Sequence, residues 1–134
     1  MTIFFFFFNG EIASYKLAEN EKFYAFLDIN PLQKGHTLVV PKLAEPEADY
    51  IFDLGDDILT EMWGFTKLVA RRIKGAVECK RVGVAVIGLE VPHVHMHLIP
   101  ISKEGDMSFA NPKLTLPSEE MAEIANSIAE AMGC

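Results

Sequence analysis

From Asp56 to Gly75 the apolar residues Ile58, Met62, Phe65, Val69 and Ile73 recur every three or four positions. That spacing predicts one long amphipathic helix laid over a sheet. Asp56 and Asp57 suit its start, the basic Arg71, Arg72 and Lys74 suit its end, and Gly75 reads as its stop. A second helical pattern opens at Ser118, carries Glu119 and Glu120 in its first turn, and would bury Met121, Ile124, Ala125, Ile128 and Met132. Between and before the helices the pattern shortens to strands. Ser14 to Ala18 and Lys22 to Asp28 flank Glu19-Asn20-Glu21 as a hairpin. His36 to Val40 is a β-branched strand ended by Pro41, after a turn running from Asn30-Pro31 to Gly35. Lys80 to Leu89 alternates Val82, Val84 and Val86 with Gly83, Ala85 and Ile87, and Gly88 would turn the chain into a last strand from His93 to Ile101. Residues Thr2 to Phe8 predict a short helix capped by Thr2 and stopped at Asn9-Gly10, although five consecutive phenylalanines fit a strand equally. Ala44 to Asp53 and Ser102 to Leu116 read as irregular. There is no internal repeat. The order of a short helix, three strands, a long helix, two strands and a short helix predicts an antiparallel α+β fold.

Composition narrows the functional classes. At 134 residues, half of them hydrophobic and 23% charged, the chain is expected to be one folded domain with a real core. Its net charge of −7 argues against coating nucleic acid, and a small anionic ligand would need a local positive pocket. The phenylalanine run is far shorter than the ~20 apolar residues of a spanning helix, and Asn9-Gly10-Glu11 is no signal cleavage site. No membrane association is expected. Cys79 and Cys134 have neither disulfide-framework nor metal-ligand spacing, so free thiols in a reducing, cytoplasmic compartment are expected.

The candidate chemistry lies in the last strand. His93, His95 and His97 alternate with Val94, Met96 and Leu98, so an extended chain puts three imidazoles on one face and an apolar row on the other. Burial explains the apolar row, but three adjacent titratable rings have no evident packing purpose. A metal site is one option, yet at ~3.3 Å per residue the outer two rings start ~13 Å apart, too far to share one ion. Two neighbouring histidines could ligate only with a further ligand, and His36 is the one other histidine. Nucleophilic attack on phosphorus fits better. It needs a neutral imidazole, a neighbour that fixes its tautomer, and donors for the phosphoryl oxygens.

His-Val-His-Met-His-Leu-Ile resembles the alternating signature of the histidine triad (HIT) family of nucleotide hydrolases and transferases. Asn9-Gly10-Glu11-Ile12, Ala25 to Pro31, and Lys34 to Lys42 are similar to the N-terminal half of that family, in order. The resemblance covers most of residues 2–101. It implies a HIT-like fold with a five-stranded antiparallel sheet, one long helix, a short N-terminal helix and a C-terminal helix. It also implies a single HIT-like domain over residues 1–134, with its core at about 2–101 and a C-terminal extension at 102–134. His95 would be the nucleophile that forms a nucleotidyl-histidine intermediate, His97 would bind phosphate oxygens, and His93 and His36 would orient the network. Asp28 would hold the ribose, with Leu27 and Ile29 beside the nucleoside. Phe4, Phe7 and Ile12 would wall the base, while Phe5, Phe6 and Phe8 are left to core packing. Glu90 and Val91 complete the nucleotide-binding set.

Three positions depart from the family pattern. Val82 stands where many relatives have Asn, and Leu89 and Glu90 stand where they have Gln and Ser, polar groups near the phosphate and leaving group. Glu90 could donate a proton if buried, and otherwise reads as a solvated carboxylate. Relatives with structural zinc use an N-terminal Cys-x-x-Cys pair, replaced here by Thr2 and Phe5, so neither metal nor cofactor is expected. The resemblance also implies a homodimer. The expected function is hydrolysis of a nucleoside phosphoramidate, dinucleotide or nucleotide conjugate, or nucleotidyl transfer from one, through His95. A purine-nucleotide-binding module with lost chemistry is the alternative, and a two-histidine metal protein is the third.

Overall fold

The strand alternation resolves into the two faces of one sheet. The computed structural model describes residues 2–43 and 48–131. Its elements are α1 (Ile3–Phe8), β1 (Lys16–Glu19), β2 (Phe23–Leu27), β3 (Thr37–Pro41), α2 (Asp56–Ala76), β4 (Arg81–Ala85), β5 (Met96–Ile101) and α3 (Ser118–Glu130). The sheet is wholly antiparallel in the order β1-β2-β3-β5-β4, so the expected α+β architecture with a five-stranded antiparallel sheet holds. Phe23, Ala25 and Leu27 of β2, Val39 of β3, and Met96 and Leu98 of β5 point to one face. There they meet Met62, Phe65, Val69 and Ile73 of α2 and Met121, Ala125 and Ile128 of α3. The intervening Tyr24, Phe26, Leu38 and Val40 point to the other face, where Phe4 of α1 covers them. Period two on the strands and period 3.6 on the helices thus close the main core.

Several boundaries differ from those expected, each for a local reason. The last strand begins at Met96 and not at His93. β3 pairs with β5 only from Thr37↔Leu98 to Val39↔Met96. Beyond that, Pro41 has no N–H to offer a ladder, its carbonyl accepts from His93 Nε2 (3.0 Å), and the Val94 N–H turns to Ala48 O. β4 ends at Ala85, opposite His97 and one residue before its partner strand does, and residues 86–91 leave the sheet. Gly75 lies inside α2, which continues to Ala76 and stops where Val77 turns extended, its N–H still bonded to Ile73 O. The helix has no left-handed residue at its end, so glycine is not needed there.

The phenylalanine run is helical, ended by Asn9 and by Gly10 at φ +85°. Thr2 occupies the N-cap position, but its side chain makes no cap hydrogen bond. Phe4 is buried, Phe7 and Phe8 pack against the second cluster, and Phe5 and Phe6 are only half-buried. The region expected to be irregular after Asp49 holds a short 3-10 turn, Ile51–Asp53, with Ile51 and Leu54 buried against the core. Ala44 to Glu47, Met132 and Cys134 lie outside the described residues. No helix among the described residues is long and apolar enough to cross a membrane.

Candidate active site

Four histidines meet on the sheet face opposite α2, and each ring is held by a specific partner. His36 starts from the turn before β3. Its Nδ1 accepts the Leu32 N–H (3.0 Å), so in the neutral ring the proton sits on Nε2. That Nε2–H faces His97 Nδ1 at 3.0 Å and donates to it, which places the proton of His97 on Nε2. His93 donates from Nε2 to Pro41 O (3.0 Å), leaving Nδ1 to accept the Thr2 hydroxyl (3.0 Å). His95 donates from Nδ1 to the His93 carbonyl (2.7 Å), so its lone pair is on Nε2. Hydrogen bonding thus fixes all four tautomers.

Electrostatics keeps the inner rings neutral. Burial pushes His36 down to about 3, helped by the neighbouring His97. Burial also pushes His97 down to about 4, helped by His95 and then Lys113. An uncharged imidazole is a nucleophile or a hydrogen-bond donor, whereas a protonated one has lost its lone pair. Asp28 lies with Oδ2 3.7 Å from His36 Nε2. Burial raises its pKa, opposed by the Asn30 N–H and by the charges of Lys113 and His95.

A cavity of about 630 Å³ opens over these rings, within the size range of small-molecule sites. Of the residues singled out from sequence, Phe4, Asp28, His36, Glu90, Val91, His95 and His97 line it. His93 sits behind them, its ring edge-on to Phe4 with centroids 5.7 Å apart. Phe4 stands 5.0 Å from the His95 ring, and His95 stands 4.9 Å from His97. Leu27 is buried in the main core and Phe7 packs on Phe26, so neither reaches the cavity wall. Ile12 borders a different surface cleft, and Ile29 is 63% exposed between the lining residues Asp28 and Asn30. Val82 packs against the main core, while Leu89 (88% exposed) and the exposed Glu90 sit on the cavity rim.

Gly88, expected as a turn, also lines the cavity, as do Asn30, Ile87, Phe109 and Lys113, which were not singled out as site residues. Phe109 and Lys113 belong to the irregular segment after β5. Phe109 lies 4.8 Å from the His97 ring and 6.5 Å from that of His36. Nothing periodic marks this segment, so only an aromatic and a base amid turn residues could have drawn attention to it. Asp28, His36 and His97 bring one donor atom each within 4.8 Å of one another, a set that could take a divalent cation. This trio differs from the two-histidine pair considered from sequence, since it joins one triad histidine to groups on the preceding turn.

Comparison with known proteins gives the family. The HIT domain family matches residues 9–104. An uncharacterized HIT-like protein of Borreliella burgdorferi is 33% identical over 129 residues, covering 90% of this chain and 91% of its own length. The adenosine 5'-monophosphoramidase of Saccharomyces cerevisiae is 37% identical over 93 residues, which span 69% of this chain and 57% of the yeast enzyme. Among solved structures, a HIT-like protein from Bartonella henselae superposes with a TM-score of 0.83 at 26% identity, covering 98% of this chain and 96% of that one. A hypothetical histidine triad nucleotide-binding protein from Sulfolobus tokodaii gives 0.78 at 31% identity, over 96% and 89%. With the family match spanning well over half its length and three of the four linked histidines lining one cavity, the chain belongs to the HIT domain family.

Proposed function

We propose that this protein hydrolyses a purine nucleotide conjugate, a phosphoramidate or a dinucleotide, through a covalent intermediate on His95. The observation that carries the reading is the bond from His95 Nδ1 to the His93 carbonyl, which leaves an unprotonated Nε2 on a ring lining the cavity. In this reading Nε2 attacks the nucleotide phosphorus, and the bond to the leaving group breaks with its electron pair. Water then attacks phosphorus, the P–N bond to His95 breaks, and a nucleoside monophosphate is released. His97, with its proton on Nε2, donates to a phosphoryl oxygen, while His36 and His93 hold the rings in place. Asp28 takes the ribose hydroxyls, with Ile29 beside the nucleoside at the rim. Phe4 and Val91 supply the apolar wall for the base. The yeast relative's adenosine monophosphoramidase activity supports an adenine nucleotide with a P–N bond as the first substrate to try.

Incubation with adenosine phosphoramidate and with dinucleoside polyphosphates tests the proposal. Turnover that falls by at least about 10³-fold in His95→Ala is expected for loss of a nucleophile. No turnover of either class, or turnover indifferent to His95→Ala, would sink it. Nucleotide binding by calorimetry without turnover would instead favour a binding module, to which the apolar Leu89 at the rim lends some support. A second reading, a divalent cation on Asp28, His36 and His97, rests on their 4.8 Å cluster. It requires zinc to bind the wild type and not His36→Gln. We also place the second copy of a homodimer along β4, an edge strand with Val84 exposed. A monomer in sedimentation would refute that placement.

A further inference from the structure

The cavity that would take an anion in the nucleotide reading is poor in positive charge. Its lining includes Asp28 and Glu90, its inner histidines are neutral, and the whole chain carries 19 acidic against 12 basic residues. Lys113 is the one lysine or arginine among the described residues that line it. Its backbone is anchored, because the Leu114 N–H bonds Pro31 O at 2.8 Å, tying the segment to the turn that carries Asp28 and Asn30. Lys34 and Glu120, paired at 2.7 Å, tie the same turn to the start of α3. The Lys113 ammonium lies 5.2 Å from the centroid of Phe109, whose ring in turn packs 4.8 Å from His97. Its hydrogen bond is a long one, 3.5 Å to Phe109 O, and no carboxylate of the described residues lies within 4 Å of it. A lysine so weakly engaged on a long flexible stem can swing towards an incoming charge.

We propose that Lys113, guided by Phe109, supplies the positive charge that meets an anionic ligand in this site and makes the segment after β5 the determinant of preference for phosphate-bearing ligands. This rests on the nucleotide reading above and adds to it the group that meets the phosphate charge. The competing account is that Lys113 merely covers the Phe109 face, a contact indifferent to ligand charge.

Calorimetric titration of the full chain with AMP and with adenosine separates the two. In Lys113→Met, AMP affinity is expected to fall about tenfold, as for loss of a charge-assisted hydrogen bond. Adenosine affinity stays within about twofold, and Lys113→Arg keeps most of the AMP affinity. Added salt should weaken AMP binding in the wild type and much less in Lys113→Met. Thermal melts confirm that both variants fold. If the wild type binds AMP and Lys113→Met binds it equally well, or loses AMP and adenosine alike, the role of Lys113 is overturned while the nucleotide reading stands. If the wild type binds neither ligand, both fall together.

Discussion

In the proposed reaction the His95 ring depends on the His93 carbonyl it donates to, and His93 is itself held by Pro41 O and by the Thr2 hydroxyl. Thr2 is therefore more than the start of a helix. Its side chain leaves the cap unfilled and spends its proton on a ring 91 positions away. Thr2→Val removes that donor and leaves a buried imidazole nitrogen with less to hold it, at a cost of about 1–3 kcal/mol. We expect urea unfolding to show that loss and kinetics to show kcat reduced more than KM, with Thr2→Ser restoring both. An unchanged kcat in Thr2→Val would show that the ring is held without the Thr2 hydroxyl. The alternation of the three histidines was legible in the sequence, but of the three only His97 lies in the strand, with His93 in a bend and His95 just before Met96. Thr2 was legible only as a cap, since a hydroxyl preceding a helix looks the same whether it bonds its own backbone or a distant ring.

The elements that carry the site are joined by tight turns, and the turn before β3 is the most constrained. Gly35 has φ +90°, and a Cβ there would lie 2.9 Å from Val77 Cγ2 and 3.3 Å from Pro100 Cγ. Both the left-handed backbone and the close approach demand glycine. Gly35→Ala should destabilise the protein by about 1–3 kcal/mol, seen as a lower urea midpoint with unchanged slope. The same turn presents Asp28, Asn30 and His36, so nucleotide affinity should fall with it. A variant as stable as the wild type would show that Val77 and the turn can both give way. The long helix followed directly from its period, whereas its last turn, the start of β5 and the end of β4 did not. The start of β5 depends on Pro41, which has no N–H to offer a ladder, and the end of α2 on Val77 turning extended, and neither limit follows from the apolar period.

At the scale of the whole molecule, burying neutral histidines couples the site to stability. His36 and His97 titrate near 3 and 4 in the folded state, against about 6.5 when unfolded. Between about 6.5 and 4 the unfolded chain therefore binds more protons, and stability falls as the pH drops through that window. Each histidine contributes up to about 1.4 kcal/mol per pH unit. Below the folded values both states are protonated and the slope vanishes. Asp28 works in the opposite sense, because its raised pKa favours the folded state as pH falls, but it is one carboxyl against two imidazoles. The melting temperature should thus decline from pH 6.5 towards 4, and less steeply in His36→Gln. Equal slopes in the two proteins would mean that His36 is protonated in the folded state.

The sequence by itself determined the period of each element, the two faces of the sheet and the row of three histidines, since these follow from local geometry and from which side chains water excludes. Tertiary structure alone decided what those histidines could do. Their tautomers depend on Thr2, Leu32 and Pro41, and the cavity depends on Phe109 and Lys113, residues brought together by chain crossings that no local pattern encodes. A hydrogen bond or a charge acts through distance in space, and distance in space is set only when the whole chain has packed.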